Sequence, residues 1–167
     1  MCPRHESVLL EKMSFLGEHE IKIDSKGRMR LPAGIKKQLN PTANGRFVVN
    51  RGFESTLQIY PFDVWEKTRA KVEKLNTFNK QNRKFVRSFL AGATELVLDS
   101  ADRINIPKHL LKYADIQSEA ILTPGKHTLE LWNKKRYEAE MDFDSDDFAD
   151  LAESVLGDID LGNDDGE

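Results

Sequence analysis

A nine-residue stretch that occurs twice constrains this chain most: residues 24–32 read DSKGRMRLP and residues 99–107 read DSADRINIP. The offset is 75 residues, and six of the nine positions agree in kind: Asp24 with Asp99, Ser25 with Ser100, Arg28 with Arg103, Met29 with Ile104, Leu31 with Ile106 and Pro32 with Pro107. Ile21 and Ile23, ahead of the first copy, keep phase with Leu96 and Leu98 ahead of the second. One supersecondary unit used twice is the reading that such a period supports. Apolar and polar residues alternate into each Asp, three residues intervene, and alternation resumes, which predicts two half-buried strands around a tight connection. Asp and Ser bond nearby backbone and Gly27 tolerates a positive φ, so the intervening residues suit a turn. Pro32 and Pro107 end the second strand and favour a first helical turn, and the apolar residues Ile35 and Leu39, or Leu110 and Leu111, follow. Each copy thus reads strand, turn, strand, short helix. Met29 and Leu31 then point to a core, which puts Arg28 and Arg30 on the other face beside Lys22 and Lys26.

After each copy a second strand pair is expected, over residues 47–50 and 57–60 and again over 120–123 and 129–132, where the offset shortens to 73 and then to 72. Pro61 and Asp63 open a helix with Val64, Trp65, Val72 and Leu75 at helical spacing. A second helix carries Phe85, Phe89 and Leu90. These aromatics share one helix face, so core or subunit packing is preferred over a base-stacking platform. Lys80, Arg83, Lys84 and Arg87 take the exposed side. A helix is expected over residues 133–141 and a short amphipathic one around Phe148, Leu151, Ala152 and Val155, with disorder beyond Gly157.

Net charge hides a division. The 167 residues sum to −3, yet residues 142–167 hold 11 Asp or Glu and no Lys or Arg, leaving 25 basic against 17 acidic residues elsewhere. A basic body attracts polyanions, and an acidic tail could compete for its face. Within the body, residues 18–40 carry Lys22, Lys26, Arg28, Arg30, Lys36 and Lys37 against three acids, whereas residues 93–115 carry Arg103, Lys108 and Lys112 against four. The first copy is therefore the expected main nucleic-acid surface. Arg103 is divided evenly between a DNA contact and a plain ion pair with Asp99. One cysteine excludes an internal disulfide, four scattered histidines lack zinc-ligand spacing, and no run of about 18 apolar residues crosses a membrane. No catalytic residue, metal site or cofactor is expected, since no phosphate-binding glycine loop or nucleophile-base pairing appears.

The paired Asp24/Arg28 and Asp99/Arg103 motifs, the MSFLG stretch at 13–17, and LQIYP at 57–61 followed by Trp65 resemble the bacterial MraZ family of transcriptional regulators, over about residues 13–141. The resemblance implies an α+β fold of two tandem AbrB-like half-units forming a swapped-hairpin β-barrel with flanking helices. It divides the chain into an extension and lead-in (1–17), a first SpoVT/AbrB-like domain (18–60), connecting helices (61–92), a second such domain (93–136) and a helix end with an acidic tail (137–167). Residues 1–12 match nothing in it and are expected to be a mobile upstream extension. The implied partners are double-stranded DNA, as repeated promoter boxes of the division and cell-wall gene cluster, and the chain itself in a ring-shaped homo-oligomer. No membrane partner is expected, and the expected location is cytoplasmic, at the nucleoid. The DNA-binding set is Lys22, Lys26, Arg28, Arg30, Lys36, Lys37 and Arg103, with Asp24 and Asp99 as structural motif residues. Ala101-Asp102 replaces Lys26-Gly27, which leaves open whether the two copies grip phosphate equally. An AbrB-fold protein-interaction module is the alternative.

Overall fold

The computed structural model describes residues 15–157. The extension at 1–12 and the disorder expected past Gly157 lie outside the described residues. In the first copy β1 (His19–Lys22), β2 (Arg28–Arg30), α1 (Ala33–Gln38), a 3-10 turn (Pro41–Ala43), β3 (Arg46–Arg51) and β4 (Leu57–Pro61) are followed by α2 (Phe62–Glu73) and α3 (Lys80–Gly92). The second copy gives β5 (Thr94–Val97), β6 (Arg103–Asn105), α4 (Lys108–Tyr113), β7 (Glu119–Pro124) and β8 (Leu129–Asn133), then α5 (Lys134–Glu140) and α6 (Ser145–Leu156). The chain up to Lys134 is one compact unit and the residues from Lys135 a second.

The two copies do not fold side by side. All strands are antiparallel, in a six-stranded sheet of order β1-β7-β8-β4-β3-β5 and a two-stranded ribbon of β2 and β6. The first strand of each copy has crossed to the other: β1 pairs with β7, and β5 with β3. At the centre of the large sheet Gln58 stands opposite Glu130, with Leu57 opposite Leu131 and Ile59 opposite Leu129. At the centre of the ribbon Met29 stands opposite Ile104. These pairs are equivalent positions of the repeat, so an approximate two-fold passes through both. The turn hydrogen bonds obey it too: Leu31 N donates to Asp102 O and Ile106 N to Gly27 O, both at 2.8 Å. Among the described residues the ladders stay two sheets, tied by a bridge between Ile23 and Met29, without closing into one barrel.

Exchange leaves one core in place of two. Ile21, Met29, Leu31, Ile35, Phe47 and Val49 of the first copy pack in the same cluster as Leu96, Ile104, Ile106, Leu110, Leu122 and Leu129 of the second. Strand β3 is buried on both faces, Phe47 and Val49 inward and Val48 and Asn50 towards the helices, so its alternation is muted as in other doubly covered strands. Asn50 donates from Nδ2 to Phe89 O at 2.9 Å and accepts the Arg51 backbone N–H at 2.8 Å, satisfying the polar group that this burial requires. Tyr60, Trp65, Phe89 and Phe85 form a run of ring contacts from the sheet to the surface. Trp65 is buried, whereas Phe85 and Leu75 are left exposed at the margin of the apolar face predicted for these helices. In the C-terminal unit, Asp144 and Asp147 form a reciprocal capping box at the start of α6, and Phe148, Leu151 and Val155 are exposed.

Candidate nucleic-acid interface

Each repeated motif is a turn wrapped around one carboxylate. Asp24 Oδ1 accepts the backbone N–H groups of Lys26 and Arg28, both at 2.9 Å, and Oδ2 accepts Arg28 Nε at 2.7 Å. Asp99 repeats this, accepting Ala101 N at 2.8 Å, Arg103 N at 2.9 Å and Arg103 Nε at 3.0 Å. Both carboxyls are held below the usual aspartate range, chiefly by the backbone N–H of Arg28 or Arg103, against a partly opposing desolvation. The ion-pair role weighed for Arg103 is thus real, and Arg28 has it as well. It does not consume the guanidinium. Only Nε is engaged, and among the described residues the two terminal nitrogens of Arg28 make no hydrogen bond, leaving the edge that suits bidentate acceptors.

The turns differ in how they reach a left-handed backbone. Gly27 has φ +84°, and a Cβ there would meet Ile106 O at 2.6 Å. In the second turn Asp102 takes φ +58°, a conformation that Asp adopts more readily than most residues. Its carboxylate receives Lys36 Nζ at 2.8 Å.

The ribbon gathers the arginines. Met29 and Ile104 face the core, so their neighbours face out, with Arg28 opposite Asn105 and Arg30 opposite Arg103. Like charges directly opposite on one strand pair are destabilising, and an anion laid on that face relieves the repulsion. Not every expected residue joins this cluster. Lys22 lies exposed on β1, opposite Glu119, in the other sheet. Lys26 is exposed at the first turn, Lys37 is exposed on α1, and Lys36 is occupied by Asp102. Asn105 was absent from the expected set, although its place as the partner of Arg30 in the repeat could have marked it.

These features define a class: a duplicated α+β protein whose halves exchange strands and jointly present a basic two-stranded ribbon. A family model described as MraZ protein, putative antitoxin-like, matches the chain twice, over residues 14–88 and 89–158. Proteins named transcriptional regulator MraZ are similar along nearly their whole length. The one from Christiangramia forsetii is 39% identical over 150 residues, 89% of this chain and 97% of its own. That from Flavobacterium psychrophilum is 39% identical over 147 residues (87% and 94%), and that from Pediococcus pentosaceus 37% over 142 (85% and 96%). The chain belongs to the MraZ family, which bears out the resemblance carried by the paired motifs and the expectation of a non-enzymatic regulator. Among the described residues no helix is long and apolar enough to cross a membrane.

Proposed function

We propose that the chain is a sequence-specific DNA-binding regulator of transcription, cytoplasmic and nucleoid-associated, that acts as a ring-shaped homo-oligomer on repeated promoter boxes of the division and cell-wall gene cluster. The name carried by its relatives supports regulation of transcription. The observation that carries the reading to DNA is the ribbon. Two antiparallel strands suit the major groove, where arginine bonds guanine and asparagine bonds adenine in a bidentate way. Arg28, Arg30 and Arg103 would read bases from it, while Lys22, Lys26 and Lys37 neutralise phosphates. Lys36 would steady the second turn through Asp102. Asp24 and Asp99 orient the arginines by fixing Nε. Several such ribbons in one oligomer, engaging several boxes, raise affinity through effective concentration.

The test is a fluorescence-anisotropy titration with DNA from upstream of the chain's own gene cluster, against scrambled DNA, over a range of salt. A preference of about a thousandfold or more, with a negative salt slope, is expected. Arg28→Ala should cost about 1–3 kcal/mol of specific binding and leave the oligomer intact. Equal weak binding to both DNAs would favour the second reading, a protein-interaction module, which the antitoxin-like description of the family suits.

A further inference from the structure

The strand exchange brings helix α4 of the second copy against the turn of the first. An open recess of about 360 Å³ lies there, lined by Ser25, Gly27, Lys108, Leu111, Lys112 and Asp115 among others. The equivalent place at the second turn is occupied differently. Position 27 corresponds to 102, and position 36 to 111, so the pair Gly27 and Leu111 at one turn answers the pair Asp102 and Lys36 at the other. In the second turn the pair is an ion pair, and its two charges cancel locally. In the first turn the same two positions are uncharged, and a Cβ on Gly27 would touch Leu111 Cδ1 at 3.5 Å. The cations stand around this floor instead: Lys108 and Lys112, one helical turn apart and exposed, with exposed Lys26 on the turn itself. Of the nearby acids, Asp24 is engaged by two backbone N–H groups and Arg28, which leaves the exposed Asp115 at the rim.

We infer that Lys108 and Lys112, with Lys26, form a phosphate-binding subsite at the first turn, which takes a backbone phosphate of nucleic acid; at the second turn Ala33 and Ala101 replace Lys108 and Lys26, and of the three cations only Lys112 has an equivalent, Lys37. The inference rests on the DNA reading above and adds to it a directional grip. The ribbon reads bases symmetrically in outline, and this recess, with three lysines against one at the equivalent place, grips the strand more strongly on one side.

The test uses the full chain. Lys108→Gln/Lys112→Gln is compared with Lys67→Gln/Lys71→Gln, which removes two exposed lysines one helical turn apart on α2 and so changes net charge by the same amount. Each phosphate contact contributes about 0.9 to the slope of log K against log salt. The lysine variant should therefore shallow that slope by about one and weaken promoter and scrambled DNA in equal proportion. The control variant should keep the slope. An unchanged slope in the lysine variant, with promoter binding otherwise intact, overturns the subsite and spares the DNA reading. Loss on promoter DNA alone also overturns it, because phosphate contacts carry no sequence information. A second arm titrates inorganic phosphate and follows the amide resonances of Ser25, Lys26 and Gly27. Saturable shifts there, abolished in the lysine variant while its DNA binding is unaltered, would assign a free-phosphate site and overturn the backbone assignment. If wild-type protein binds no DNA, the DNA reading fails, and the backbone assignment falls with it whatever the phosphate arm shows.

Discussion

Asp24 and Asp99 decide the shape of their turns with one carboxylate each, and this has a pH signature. Their folded pKa values lie below the ordinary value of about 3.9. The stabilisation is complete above the unfolded pKa, where both states are ionised, and is lost as pH falls through the lower folded value, because the unfolded chain takes up protons first. Asp24→Asn/Asp99→Asn protein should be less stable than wild type at pH 7, and the difference should shrink below about pH 4; urea midpoints across that range check it. Arg30 makes the opposite case. Facing Arg103 across the ribbon, it is placed at some cost to the fold, so Arg30→Gln should raise stability by about 0.5 kcal/mol while weakening DNA binding. A fall in both would mean that Arg30 holds the ribbon together. That Arg28 and Arg30 share an exposed face was legible from period-two alternation. The engagement of Lys36 by Asp102, 66 residues away, had no local signal, because nothing in either segment indicates which turn the other's helix will meet.

Elements with strong periodicity were readable, and their partners were not. Helices α2, α3, α5 and α6 coincide with the spacing of Trp65 and Val72, of Phe85 and Phe89, of the stretch after Trp132, and of Phe148 and Val155. What the spacing omits is how a helix end is fastened. At the end of α3, Gly92 lies so close to Asn50 that a Cβ would stand 2.4 Å from Asn50 Oδ1. That asparagine is 1% exposed and bonds Phe89 O. Gly92→Ala should therefore push out the amide and cost about 1–3 kcal/mol, more than a surface glycine-to-alanine change inside a helix, which usually stabilises. Asn50→Ala should remove the clash, so that the double variant loses less than the sum of the two singles. Additive losses in thermal unfolding would show that the contact is not what limits position 92. Charge by element is deceptive in the same way. Lys108 and Lys112 count with the acidic second copy in sequence, yet they line a recess at the first turn, so a segment sum understates the charge that gathers there.

At the scale of the whole molecule, exchange turns a duplication into one cooperative body. The repeat was plain in the sequence; the crossing of β1 to β7 and of β5 to β3 was implied only by family resemblance, since a strand's pattern records which face is buried and not which neighbour it pairs with. Two side-by-side domains would melt separately if their stabilities differed. A chain whose core draws on both copies has no such freedom, because unfolding either half strips an outer strand and a ribbon partner from the other. The two tryptophans make this measurable. Trp65 belongs to the first half and Trp132 to the second, and they are 5% and 7% exposed. Single-tryptophan proteins, Trp65→Phe and Trp132→Phe, should each show one urea transition, and after correction for the stability cost of each substitution the two fluorescence signals should share a midpoint with the far-ultraviolet circular dichroism of the same protein. Within either variant, a tryptophan signal that moves ahead of the dichroism would mean that its half opens alone. The strand exchange would then be a contact between two foldable domains, and the recess at the first turn could open without loss of the rest.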